Sequence, residues 1–254
     1  MTGIWDPASY QEFDDHRARP FRDLLARVAA NRPHRVVDLG CGPGTRTVKL
    51  AARWPDAVLE ALDSSPEMVA EARAGGIDAR LVDVRAWSPA GDTDVVVCNA
   101  VLQWVPEHID LLPGWLAALP AGAWFAMQVP GNFAAPSHVL VRELAAERPW
   151  VQRVPPLRED PVLDPAGYAE LMAAAGCRTD AWETTYLQRM EGDDPVLTWI
   201  SATALRPVRA ALPDAEWDRF RAELAPRLRQ AYPRARDGST WFPVRRVFAV
   251  AQRP

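Results

Sequence analysis

Val36-Val37-Asp38-Leu39-Gly40-Cys41-Gly42-Pro43-Gly44 is an apolar run that enters a loop with glycine at every second position, and a helical pattern follows. Glycine reaches φ above zero and lets a ligand approach the backbone without meeting a Cβ. The helix N-terminus behind such a loop exposes unbonded N–H groups. A plain strand-to-helix turn needs fewer than three alternating glycines, so the stretch reads as a cofactor loop opening a βαβ unit. A dinucleotide site spaces its glycines Gly-x-Gly-x-x-Gly. Here the spacing is Gly-x-Gly-x-Gly, with Asp38 two residues before the first glycine, which argues against a nicotinamide-dependent oxidoreductase.

Working outward, residues 35–129 alternate short apolar runs with helical patterns, as in a parallel α/β sheet. Strands are expected at 35–39, 58–62, 79–82, 94–98 and 123–129, with helices at 45–53 and 111–119. Ser65 is an N-cap, Pro66 a first helical residue and Gly75-Gly76 a stop. The pattern then changes. Residues 131–160 are rich in Pro and Arg around one helix at 137–147. Asp164 caps a helix whose apolar face is Tyr168, Leu171, Met172 and Ala175, and a strand follows at 182–190. Residues 191–238 return to helix, with Trp217, Phe220, Leu224 and Leu228 on one face and Pro226 expected to kink or interrupt it. A last strand spans 244–251. The chain therefore reads as one domain, with a core of about 33–130, 162–190 and 240–252. Residues 1–30, 131–161 and 191–239 are expected to form a lid.

Ligands of open α/β sheets sit at the carboxyl ends of the strands, and four successive ends carry polar signals. The Gly loop follows the first. Asp63 ends the second, either accepting from ribose hydroxyls or helping to cap the Ser65 helix. Asp83, before Val84, ends the third, either addressing an adenine ring or solvated. Asn99 ends the fourth. Trp104 lies just beyond it, where its ring face suits a cationic donor.

This set resembles the class I S-adenosylmethionine-dependent methyltransferases, and the chain as a whole is similar to the trans-aconitate 2-methyltransferase family. The resemblance includes Trp5-Asp6-Pro7, Tyr10, Phe13 and Arg17-Ala18-Arg19-Pro20. It continues through Asp63-Ser64-Ser65-Pro66-Glu67-Met68, Leu102-Gln103-Trp104 and residues 136–143. Thr184-Thr185-Tyr186, residues 199–203 and Leu205-Arg206-Pro207 complete it. It implies a Rossmann-like fold, a seven-stranded, mostly parallel sheet with an antiparallel last strand, and methyl esterification of trans-aconitate. It also implies that Gly40, Gly42 and Gly44 pack under the cofactor, that Asp63 holds its ribose, and that Asp83 and Val84 address its adenine. Asn99 would face the methionine part and Arg17 its carboxylate. Asp38, Ser64, Met68 and Trp104 join this cofactor set by position, and S-adenosylhomocysteine would be the product.

Composition fits. The 254 residues carry a formal charge of −4 and 48% hydrophobic residues, enough for a core and unlike a protein held to nucleic acid by general basic attraction. Lys49 is the only lysine, so any anion site must be built from Arg, which grips carboxylates with a fork. Cys41, Cys98 and Cys177 lack metal-ligand spacing, and no metal site is expected. They suggest a reducing cytoplasm, and no apolar run approaches membrane-spanning length. A carboxylate substrate is ionised at neutral pH, so no general base is expected. Candidate substrate contacts are His138 and Arg142, four apart on one helix, with Tyr186, Trp199, Arg206 and Arg245. His16, His34 and His108 read as surface residues, and Trp115 and Trp124 as core.

Overall fold

The computed structural model describes the backbone of residues 14–159 and 162–254, and side chains from residue 18 onward. Seven strands form one sheet in the order β3-β2-β1-β4-β5-β7-β6. They are β1 (Arg35–Leu39), β2 (Val58–Asp63), β3 (Ala79–Leu81), β4 (Thr93–Asn99), β5 (Trp124–Pro130), β6 (Arg178–Met190) and β7 (Thr240–Gln252). The first five pair in parallel, and β7 runs antiparallel to β5. This is the expected α/β architecture with its antiparallel last strand.

Burial explains the strand runs. Val95, Val96, Val97 and Cys98 of β4 are all 0% exposed, which is why β4 is continuously apolar rather than alternating. On one sheet face Val37, Leu39, Val96, Cys98, Phe125 and Met127 meet Leu112, Trp115 and Leu116 of α4 (His108–Ala118) and Tyr168 and Met172 of α6 (Pro165–Ala174). A smaller cluster joins Ala61 and Ala79 to Val69 and Ala72 of α3 (Pro66–Ala74). The caps are as local chemistry dictates. Ser65 accepts from the Met68 N–H at 3.2 Å, and Asp164 from the Gly167 N–H at 2.8 Å.

The chain divides into two compact units. Of the described residues, the larger holds 14–130, 162–184 and 246–254, and the smaller 131–159 and 185–245. Residues 14–30, expected in the lid, belong to the larger. There Phe21, Leu24 and Leu25 of α1 (Asp14–Leu25), with Val28 just beyond it, are buried at helical spacing. Arg53, ending α2 (Thr47–Arg53), donates to the Val28 carbonyl at 2.7 Å, and the Trp54 indole to that of Ala30 at 3.2 Å. The smaller unit contains α5 (Pro136–Ala146), α7 (Pro195–Ser201), α8 (Arg206–Ala211) and α9 (Asp214–Ala231), with the outer parts of β6 and β7. Helix α9 runs through Pro226 without a break, because Phe220, Leu224, Ala225 and Leu228 bury its inner stripe on both sides of the proline. Trp217 is only partly buried.

His108 corrects another expectation. It is fully buried: Nδ1–H donates to the Val105 carbonyl at 2.7 Å, and Nε2 accepts from the Tyr168 hydroxyl at 2.8 Å. Burial depresses its pKa, so the ring is held neutral between these two partners.

Candidate functional site

The Gly loop is anchored before it is open. The N–H groups of Gly40 and Cys41 both donate to the Leu62 carbonyl at 2.8 Å, tying the end of β1 to β2. All three loop glycines have positive φ: +87° at Gly40, +56° at Gly42 and +83° at Gly44. Their missing side chains have different causes. A Cβ on Gly40 would lie 2.1 Å from Val101 Cγ2, and one on Gly44 would lie 3.0 Å from Ile77 Cγ1. A Cβ on Gly42 would meet nothing within 4 Å among the described residues. Gly40 and Gly44 thus serve packing against the protein itself. Gly42 is the glycine whose backbone is open to a ligand.

Asp38 is also turned to another task. It is 2% exposed, and its Oδ2 accepts from the Thr47 hydroxyl at 2.6 Å, fixing the first residue of α2 behind the loop. Burial pushes its carboxyl up to about 6, the Thr47 bond opposes this, and nearby Asp63 adds to it. The folded state therefore holds the proton more tightly than the unfolded chain. The stability this confers is present below the ordinary carboxylate pKa of ~4 and is lost as pH rises through about 6. Relative to Asp38→Asn, the wild type is expected to lose about 2 kcal/mol of unfolding free energy between pH 4 and pH 7. Urea melts of both proteins across that range check this; parallel curves would contradict it.

Asp63 does double duty. Its Oδ2 accepts from the Gly42 N–H at 2.8 Å and its Oδ1 from the Ser65 N–H at 2.9 Å. Half-burial raises its pKa, while the N–H groups of Ser65, Gly42 and Ser64 draw it back down. An ionised carboxylate offers about four lone-pair sites, more than these three N–H groups occupy. Ser64 is exposed, and Met68 is buried at 3% exposure. Asp83 caps the turn Val84–Ala86 through the Arg85 N–H at 2.9 Å and pairs with the Arg85 guanidinium at 3.2 Å. Val84 is buried. Asn99 Oδ1 accepts from Gln128 Nε2 at 2.8 Å. Trp104 is 39% exposed in the short turn Leu102–Trp104. The side chain of Arg17 lies outside the described residues. The strand order puts these groups at neighbouring strand ends, and Gly42–Asp63 is a direct contact.

All six candidate substrate residues fall in the smaller unit. Three converge on the turn Asn132–Ala134. Arg142 donates to the Phe133 carbonyl at 2.8 Å, His138 packs edge-on against the Phe133 ring at 5.4 Å, and the Arg245 guanidinium donates to the Gly131 carbonyl at 3.2 Å. Buried Asn132 accepts from the Arg245 backbone N–H at 2.6 Å. Burial, with the Arg142 charge added, pushes His138 down to about 4, so its ring is neutral at neutral pH. Arg206 is partly buried, which lowers its pKa. Tyr186 and Trp199, each 4% exposed, are core residues, and Trp199 sits edge-on to Phe242. Both were expected among the substrate contacts, and packing covers nearly all of their surface. Gln128 and Asn132 were not among the expected residues. A polar side chain within or just after an apolar strand was the available signal.

The sequence matches the family model described as a methyltransferase domain over residues 10–181. A trans-aconitate 2-methyltransferase from Rhodococcus jostii is 63% identical over 252 residues, covering 98% of this chain and 99% of that one. The chain belongs to the trans-aconitate 2-methyltransferase family. Another relative of that name, from Mycobacterium sp. (strain KMS), is 60% identical with the same coverage. Among solved structures, the YcgJ protein from Bacillus subtilis matches with a TM-score of 0.58 at 13% identity, covering 93% of this chain and 98% of that one. That likeness shows the fold alone. The matched residues include the Gly loop and every strand end discussed above.

Proposed function

We propose that this chain is an S-adenosylmethionine-dependent O-methyltransferase that forms the methyl ester of trans-aconitate. The carrying observation is the direct bond between Gly42 and Asp63: an open glycine backbone beside a half-buried carboxylate at the next strand end. That pair fits the adenosyl cofactor. Gly42 lets its body approach the backbone, and Asp63 has acceptor capacity left for the ribose. Asp83 and Val84 serve the adenine side, Asn99 and Arg17 the amino-acid end. Bound S-adenosylmethionine supplies an electrophilic methyl group on a sulfonium. Asp38 and Thr47 act from behind, holding the loop against its helix.

The substrate's carboxylates have ordinary pKa values near ~4 and are ionised at neutral pH. No side chain has to remove a proton, and His138, with a pKa of about 4, is poorly suited to do so. The residues act by orientation and charge, and orientation alone is worth up to roughly 7–11 kcal/mol. Arg142, Arg206 and Arg245 supply cations for a polycarboxylate, and neutral His138 supplies a hydrogen bond. The smaller unit is thus assigned substrate selection and the larger unit the cofactor. The free cysteines suit a reducing cytoplasm, and no helix among the described residues is long and apolar enough to cross a membrane.

Methyl-labelled S-adenosylmethionine offered with mono-, di- and tricarboxylates tests the reading. Labelled ester is expected from trans-aconitate above all others, whereas turnover of no polycarboxylate would refute it. Arg206→Ala is expected to raise the KM for the acid about 10–100-fold, as for loss of a charged hydrogen bond, with cofactor affinity unchanged. Equal damage to both affinities would contradict the division of labour.

A further inference from the structure

We infer that Gln128 is a positioning residue that turns the Asn99 amide so that its N–H donors face a carboxylate, that of the cofactor's amino-acid end. This rests on the proposed assignment of Asn99 to that end. Gln128 lies directly beside Asn99 in the β4–β5 register, on a strand whose Phe125, Ala126, Met127 and Val129 are all 0% exposed. It is itself 2% exposed. Its Nε2 donates to Asn99 Oδ1 at 2.8 Å, while its own Oε1 has no hydrogen-bond partner among the described residues.

A buried acceptor without a partner is unfavourable, and an apolar side chain of the same shape would relieve it. The side-chain bond that Gln128 makes is the one to Asn99. An amide whose oxygen is engaged turns its nitrogen the other way, so Asn99 offers donors and selects an acceptor. The neighbouring backbone is fixed too. Ala100, with φ +59°, adopts a left-handed conformation unfavourable for a residue bearing a Cβ. Its N–H donates to the Gln128 carbonyl at 2.9 Å, and its carbonyl accepts from Gln103 Nε2 at 2.7 Å. Val101, next in line, fills the notch left by Gly40. The orientation of Asn99 is therefore set from β5 as firmly as the Gly loop is set from β2.

Two ligands separate positioning from general support: S-adenosylhomocysteine, and 5′-methylthioadenosine, which lacks the amino-acid end. Gln128→Met keeps the shape and removes both polar atoms. It is expected to weaken S-adenosylhomocysteine about tenfold, as for loss of a charged hydrogen bond, to leave 5′-methylthioadenosine unchanged, and not to lower the melting temperature. Added to Asn99→Ala, it should cost little more, because both act through one amide. Equal weakening of both ligands, no weakening of either, or full additivity would overturn the inference. Asn99→Ala binding S-adenosylhomocysteine like the wild type would instead remove the underlying assignment of Asn99.

Discussion

Gly40→Ala is expected to be the most damaging single-methyl change in the loop, lowering stability by roughly 2–5 kcal/mol and cofactor affinity with it. Two independent penalties add. The backbone at φ +87° is poorly accessible to a residue with a Cβ, and the new methyl would sit 2.1 Å from Val101 Cγ2. Val101 is backbone-anchored between strained Ala100 and the turn Leu102–Trp104, so it cannot withdraw without moving that turn. Shortening the neighbour in Gly40→Ala/Val101→Ala should recover the part due to the clash and not the part due to φ. Gly42→Ala makes the contrast. Its Cβ meets nothing in the protein, so stability should fall by only about 1 kcal/mol, while S-adenosylhomocysteine binding is lost. Urea denaturation and calorimetry on the three variants separate these effects. Equal stability for Gly40→Ala and Gly42→Ala would show that the notch does not matter.

That contrast marks how far the sequence could be read. Alternating glycines announced a backbone with positive φ, because that demand is local. They did not reveal which glycine faces a ligand, because Val101 and Ile77 lie tens of residues away in the chain. Ser65-Pro66 and Asp164-Pro165 were legible as helix starts for the same local reason. His108 was not legible as buried, since its partner Tyr168 comes 60 residues later. Helix α9 was expected to yield at Pro226, but the apolar stripe on both sides of it decided the matter. The segment before β1, expected in the lid, carries its own helical stripe of Phe21, Leu24, Leu25 and Val28, a signal readable in the sequence. Among the candidate site residues, charge and strand-end position were legible. The burial of Asp38 was not, because it depends on what packs over it.

Asp63→Ala carries the second large effect. The substitution removes the acceptor for the Gly42 and Ser65 N–H groups and, in the proposed assignment, for two ribose hydroxyls. Losing two charge-assisted bonds to a ligand corresponds to roughly 3–5 kcal/mol, or about 10²–10⁴-fold in affinity. Part of the loss comes from the loop itself, since Gly42 is no longer held in the shape the cofactor requires. Asp63→Asn keeps one acceptor oxygen and should fall between wild type and alanine. Affinities for S-adenosylhomocysteine from all three proteins check the order. An alanine variant within threefold of wild type would detach Asp63 from the cofactor.

The most direct test of the cofactor assignment is a calorimetric titration of the wild-type protein with S-adenosylhomocysteine and, separately, with NAD. Saturable binding of one S-adenosylhomocysteine per chain, abolished by Gly42→Ala, with no binding of NAD, is the predicted result. No heat with S-adenosylhomocysteine, or NAD bound at the same loop, would contradict it.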